Sequence, residues 1–387
     1  MQLLGKSAPG IRNLRFCIAA LLLLLLRPAG LFAQTWNWAT EDVDVQGEST
    51  WIVADADGNL HISYYAPTGG LLKYAFRSAD TTKWFNMTLE HGQDFMVTRI
   101  AVDANSNPHI CYTPRITKYA HYDGKKWHTQ EVDAGSGVVG FWCSIQVGSD
   151  NKPQISWYLE GGTYFRYAIL NDGVWSATSI EGGGGAFPGK WNSMALDAQN
   201  RPRMSYTWFP AGQLKFTSFD GKAWSINLLD TPTESPGGTR GMGNSLVFDR
   251  QGNPMITYYT EDAFKMARLV DGKWKKEIIA EIPSFTAAYS WRSFRSAMVL
   301  DSNGNPHIGF ESLRGLEHLW WDGKEWKSQL LIASVGNTFY DNAMTIDKKD
   351  NLFISYRDPA DGSLKVLAGR PSGKAKTQAD AGKSGGQ

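Results

Sequence analysis

Short apolar runs and polar turn clusters alternate from Trp36 onward, and the alternation itself repeats in a fixed order. Each copy opens with an apolar run ending in Asp, such as Arg99-Ile-Ala-Val-Asp103 or Ser193-Met-Ala-Leu-Asp197. A turn rich in Gly, Asn and Pro follows, as at Gly304-Asn-Pro306. Asp accepts hydrogen bonds from its own turn backbone, Gly tolerates positive φ, and Pro fixes the exit direction. Two further strand-like runs come next, for example His61-Ile-Ser-Tyr-Tyr65 and Leu72-Lys-Tyr-Ala-Phe76. Asp-Gly pairs such as Asp123-Gly124 and Asp322-Gly323 mark a tight hairpin. The last strand opens on Trp84, Trp127, Trp175, Trp224, Trp274 or Trp326. Four short strands in a unit of about 45–52 residues predict a propeller blade. Beyond the N-terminal segment no stretch has helical periodicity.

Six copies are complete, and the seventh, from Tyr340 to Ala368, has only three strands. Its missing strand is expected at the other end of the chain. Trp38-Ala-Thr-Glu-Asp-Val-Asp44 aligns with Trp127-His-Thr-Gln-Glu-Val-Asp133 at Trp, Thr, Val and the final Asp. The predicted fold is therefore all-β: a seven-bladed β-propeller of four-stranded antiparallel blades, closed by the N-terminal strand. Closure removes an open edge that would otherwise pair with other chains. Six blades with two flanking strands is the alternative count.

Composition supplies the domain limits. Lys6, Arg12 and Arg15 precede an apolar run, Phe16 to Leu26, that is too short to span a bilayer as a helix. Residues 1–33 are thus expected to be a cleaved signal peptide, cut after Ala33, and the product secreted or periplasmic. Residues 34–368 form the propeller, and the Gly-, Lys- and Ser-rich 369–387 segment is expected to be disordered. The 39 basic and 38 acidic residues nearly cancel. That balance gives no footprint for nucleic acid, and neither integral membrane association nor an oligomer is expected. Cys111 and Cys143 remain after processing. Export permits a disulfide, but Cys111 aligns with Ser63, Ser156 and Ser205, so two small core side chains are the expectation.

The D-x-x-G-N-P-H-I-S-Y and D-G-K-x-W segments resemble those of secreted bacterial seven-bladed propellers, similar in architecture to sialidase-type (BNR-like) and propeller-lectin proteins. The resemblance covers nearly all of residues 36–368 and implies fold rather than activity. No copy matches the sialidase box S-x-D-x-G-x-x-W, so no catalytic residue carries over.

The repeat also separates scaffold from site. His61, His109 and His307 share one repeat position and should be spread around the ring rather than converge on a metal. Asp55-Ala-Asp57-Gly58-Asn59 fits an Asp-stabilised turn better than a Ca²⁺ loop. No metal or cofactor is expected. The longest variable connections run from Glu181 to Trp191 (with Phe187 and Lys190), from Asp230 to Met242 (with Arg240) and from Ala280 to Arg295. The innermost strands begin at Thr50, Thr98, Cys143, Asn192, Asn244, Ser296 and Asn342, expected at the channel mouth. The expected ligand-binding set is Arg99, Trp142, Trp191, Asn192, Asn244, Trp291, Arg295, Tyr340, Asp341 and Asn342. Amides and charges bond hydroxyls and aromatic faces stack on sugar rings, which suits a glycan or polysaccharide. A column that merely solvates a wet channel is the bland alternative.

Three functions compete. A non-catalytic glycan-binding propeller comes first, since no acid/base set is evident. A sialidase-like hydrolase or polysaccharide lyase comes second; its carboxylates would come from Asp341, Glu160, Glu261, Asp262, Glu311 or Asp358. A cell-envelope protein-interaction scaffold comes third.

Overall fold

The computed structural model describes residues 35–92, 97–133, 140–160, 163–183, 187–209, 211–231, 242–260, 263–282, 295–334 and 340–372. The expected signal peptide therefore lies outside the described residues. Among those described, no helix is long and apolar enough to cross a membrane. Seven four-stranded antiparallel sheets form the blades. Blades 1 to 6 span 48–90, 98–131, 140–182, 187–230, 242–281 and 296–333. Blade 7 takes its inner strands from 343–372 and its outer strand from Thr35–Asp44. The innermost strands of successive blades touch all the way round, blade 7 against blade 1 included.

Burial within a blade follows from its position in the ring. The second strands, such as Leu60–Ala66 and Pro153–Leu159, are covered on both faces by neighbouring blades and are buried along their whole length. Outer strands such as Val174–Gly182 are largely exposed. The Trp residues that open the outer strands pack on the preceding blade. Trp127, Trp175, Trp224 and Trp274 meet Tyr74, Tyr119, Tyr167 and Phe216 edge-on, with ring centroids 5.0–5.2 Å apart.

The repeated Asp builds its turn from inside. Asp55 Oδ1 accepts from the backbone N–H of Asp57 and Asn59, and Oδ2 accepts from the Asn59 amide, all at 2.9 Å. Asp103, Asp301 and Asp347 do the same. His61, His109 and His307 each lie 3.3–3.7 Å from the turn Asp of their own blade, so each His serves its own blade.

Two belts of contacts join the blades. In the inner belt a second-strand residue meets a first-strand residue of the next blade. Ser63 meets Thr98 at 3.0 Å, Ser156 meets Asn192 at 2.7 Å, and Ser205 meets Asn244 at 2.5 Å. Thr257 meets Ser296 and Ser355 meets Thr50, both at 3.0 Å. Between blades 2 and 3 the same contact is covalent: Cys111 and Cys143 form a disulfide. This corrects the expectation of two unbridged thiols. Alignment with Ser63 and Ser156 located Cys111 in its own blade, but its partner belongs to the facing column of the next blade. In the outer belt an acid ending one blade accepts from a Tyr and a Lys of the next. Asp44 serves Tyr64 and Lys73; Glu90 serves Tyr112 and Lys118; Glu181 serves Tyr206 and Lys215.

The closing strand is held on both sides. Trp36 is buried in a cluster with Trp320 and Leu316 of blade 6. Glu41 pairs with Arg77 of blade 1 and accepts from the Trp84 indole, each at 2.9 Å. Its partner strand runs on to Ser372, so Gly369 to Ser372 belong to the sheet rather than to the tail expected from composition. Gly369 has to be glycine, because a Cβ there would lie 2.6 Å from the Trp38 ring. Residues 373–387 lie outside the described residues.

Candidate functional site

The first strands of five blades carry an irregularity at one end, where a residue with positive φ directly precedes the inner-belt residue. These are Ser49, Trp142, Trp191, Gly243 and Asp341, with φ of 47–54°. A bulky or charged L-residue seldom adopts this conformation, and strain of this kind tends to collect at functional sites. The belt residue of the next blade holds the positive-φ residue's carbonyl in place. Thr98 Oγ1 donates to Ser49 O at 2.9 Å, Asn192 Nδ2 to Trp142 O, Asn244 Nδ2 to Trp191 O, and Ser296 Oγ to Gly243 O at 2.6 Å.

The expected mouth set therefore divides. Asn192, Asn244 and Asn342 are at most 7 % exposed, and their amides fix neighbouring main chain. Tyr340 is in the core, its hydroxyl on Ala333 O at 3.1 Å, and does not line the mouth. Trp142, Trp191, Arg99, Arg295 and Asp341 line a central cavity of about 440 Å³, and Asn192 and Asn244 reach its wall as well, whereas Asn342 does not. That volume is within the range of small-molecule sites, roughly 300–1,000 Å³. Trp291, Arg240, Glu261 and Asp262 lie outside the described residues.

Trp142 and Trp191 stand side by side, with ring centroids 5.4 Å apart. Lys190 packs against Trp142 and the aromatic rings around it. Its ammonium lies 4.5–5.7 Å from the rings of Trp142, Tyr158, Phe187 and Phe209, and burial lowers its proton affinity. Farther round the ring, Arg295 Nη2 lies 3.3 Å from Asp341 Oδ1 and 3.3 Å from Ser49 Oγ. Asp341 also accepts from the Ser49 backbone N–H at 3.1 Å, linking blade 7 to blade 1.

Blade 6 departs from both belts at consecutive residues. Gly309 stands where other blades have Ser, Thr or Cys, so Asn342 has no side chain to meet there. Phe310 replaces the outer-belt Tyr, and Glu317 replaces its Lys. Asn342 turns instead to Glu311 Oε1, at 3.2 Å, which also accepts from the Tyr340 backbone N–H at 3.2 Å. Glu311 thus clamps the residues on either side of the strained Asp341. Burial, reinforced by the Asp341 charge, pushes the Glu311 carboxyl up to about 7. Asp358, by contrast, is committed to Lys365 at 2.7 Å. Among the described residues no group of three His, Cys, Asp or Glu could hold a metal ion.

Glu311 makes a signed prediction. Its folded-state affinity for a proton exceeds the unfolded one, so its contribution to stability declines as pH rises from about 4.5 to about 7 and is level above that. The full decline is on the order of 3 kcal/mol. Glu311→Gln keeps the acceptor and removes the charge. The thermal midpoint of the parent, relative to this variant, is expected to fall between pH 5 and pH 8. A difference that is independent of pH would refute the assignment.

The chain is similar in fold to an ulvan lyase. That structure, from a new family of polysaccharide lyase, superposes with a TM-score of 0.61 at 13% identity, covering 85% of this chain and 95% of the other. The lyase has also been solved bound to -[GlcA(1-4)Rha3S]-. A fucose-specific lectin from Aleuria aurantia superposes at 0.50 with 16% identity over 78% of this chain and 100% of its own. A protein of unknown function from Dyadobacter fermentans superposes at 0.52 with 11% identity, over 87% and 99%. At such identities the likeness establishes the fold. No family model and no curated protein matches the sequence.

Among the cavity residues that the sequence did not single out, Trp51, Glu48 and Arg357 bring a ring or a charge to the wall. A signal for two of them was present. One place after the inner-belt column stand Trp51, Arg99, Ser144, Ser193, Ser245, Ala297 and Ala343, so Trp51 is as anomalous there as Arg99. Two places after the second-strand Ser stand Tyr65, Thr113, Tyr158, Thr207, Tyr259, Glu311 and Arg357, where only Glu311 and Arg357 carry charge.

Proposed function

We propose that the protein is an exported, monomeric, non-catalytic propeller that binds a glycan or polysaccharide at the channel mouth. The observation that carries this reading is the Trp142–Trp191 pair, held at strained bulges on the wall of a cavity that also presents Arg295 and Asp341. Aromatic faces stack on sugar C–H surfaces, while guanidinium and carboxylate groups bond hydroxyls. A carbohydrate role is supported by the fold it shares with a lectin and a polysaccharide lyase. The test is incubation of the mature protein with a polysaccharide panel. Binding without new reducing ends or unsaturated products is expected. Trp191→Ala combined with Arg295→Ala should weaken binding by about tenfold or more without unfolding the ring. Unchanged affinity in a folded double variant would show that the mouth is not the site.

A second reading, a hydrolase or lyase, is favoured by one feature: the Glu311 carboxyl, raised to about 7, is electrostatically coupled to Asp341 and Arg295. Glu311 is 3 % exposed and does not line the cavity, which favours binding over catalysis. New reducing ends or unsaturated products in the panel would reverse that order.

A further inference from the structure

We propose that Arg99 and Arg295 form an anion subsite within the channel, taking a carboxylate or sulfate ester carried by the sugar ligand. The sugar part of this inference rests on the glycan reading above; the anion part stands on the geometry of the two guanidinium groups.

Arg99 occupies a position where five of the other blades have Ser or Ala. Its guanidinium lies over the Trp51 ring, 4.0 Å from the centroid, and Nη1 donates only to the adjacent Thr98 carbonyl at 3.0 Å. Among the described residues, no carboxylate is within ion-pair distance of it. Arg295 is only half satisfied. Nη2 reaches Asp341 and Ser49, whereas Nη1 is buried without a hydrogen-bond partner. Enclosed cations are normally paired, because desolvation without a counter-charge is costly. Here two cations face one carboxylate. Enclosure, together with the nearby Arg295 charge, pulls the proton affinity of Arg99 well below its ordinary value.

The remaining charges among the described residues of the wall do not relieve this. Arg357 Nε lies 3.5 Å from Glu48, which leaves Asp341 opposite both Arg295 and Arg99. Among the described lining residues the cavity thus carries one more cation than anion: Arg99, Arg295 and Arg357 against Glu48 and Asp341. A planar guanidinium fork fits the paired oxygens of a carboxylate or sulfate. Packing on Trp51 pre-orients the Arg99 fork, which lowers the ordering cost when a ligand arrives. A neutral sugar would satisfy hydroxyl contacts and leave the surplus charge uncompensated.

Two measurements test this on the mature full-length protein and on Arg99→Met and Arg99→Gln, the second variant guarding against a loss of packing on Trp51. In the first, calorimetry compares oligogalacturonate with its carboxyl-reduced form, and sulfated carrageenan oligosaccharides with their desulfated form. The parent should bind at least one acidic probe about tenfold or more tighter than its neutral counterpart, and both variants should lose that preference. Which acidic probe wins separates carboxylate from sulfate. In the second, the thermal midpoint is followed with added sodium sulfate against sodium chloride at equal ionic strength. A rise in the parent beyond that in the variants is expected, since general salt effects act on all three.

Equal affinity for acidic and neutral probes would overturn the anion subsite and leave the glycan reading intact. An acidic preference that survives in folded Arg99 variants would equally overturn it. A sulfate-dependent midpoint lost in the variants, with no oligosaccharide bound, would uphold the anion site and remove the glycan reading. No sulfate effect and no acidic preference would overturn the proposal altogether.

Discussion

Removal of residues 35–45 is expected to abolish the cooperative thermal transition or to lower its midpoint far more than any single substitution. The segment supplies the outer strand of blade 7 and pairs with 364–372 along its length. Its loss uncovers that edge and removes Trp36 and Val43 from two separate core clusters. It also strands the partners of two carboxylates: Arg77 and Trp84 lose Glu41, and Tyr64 and Lys73 lose Asp44. Burial of each large apolar side chain contributes about 1.5–3 kcal/mol, and unpaired buried polar groups cost about 1–3 kcal/mol each. Together these approach the roughly 5–15 kcal/mol by which a domain is stable at all. Calorimetric scans of the two forms decide the matter, and gel filtration should show the truncated form in larger species as its open edge pairs. Equal midpoints would mean that the strand is an appendage rather than the closure.

Replacing both cysteines, Cys111→Ser with Cys143→Ser, should preserve the ring and lower its stability by about 3–4 kcal/mol, on the loop-entropy model for a separation of 32 residues. The fold should survive because a Ser–Ser pair can form the hydroxyl contact that Ser63 and Thr98 make at the neighbouring junction. Thermal midpoints of parent and variant, each with and without reductant, provide the check. Reductant should shift only the parent, and toward the variant. An unshifted parent under full reduction would show that the bridge contributes nothing in solution.

Most of the architecture was legible in the chain because a propeller reuses one local solution. The Asp of each turn, the Asp-Gly hairpins and the Trp at each outer strand are set by contacts within a blade or to its neighbour, so they recur in register and can be counted. Closure was legible for the same reason: Asp44 fills the outer-belt role that Asp133 fills toward Arg166. The site was legible only in part. Trp142, Trp191, Arg295 and Asp341 precede the inner-belt column and do line the cavity. The column was expected at the mouth because the innermost strands begin there, and Asn192, Asn244 and Ser296 do reach the cavity. What the spacing could not show is that the amides of Asn192 and Asn244 and the Thr98 hydroxyl are spent on carbonyls of the preceding blade.

By itself, then, the sequence determined the blade, the number of blades and the strand that closes them, since each follows from spacing and turn chemistry along one chain. Only the tertiary structure decided which polar residues face the channel and which face another blade. It likewise joined Cys111 to Cys143 and brought Glu311 beneath Asp341. These pairings cross blade junctions, and their partners are fixed by how neighbouring sheets pack rather than by any distance along the chain.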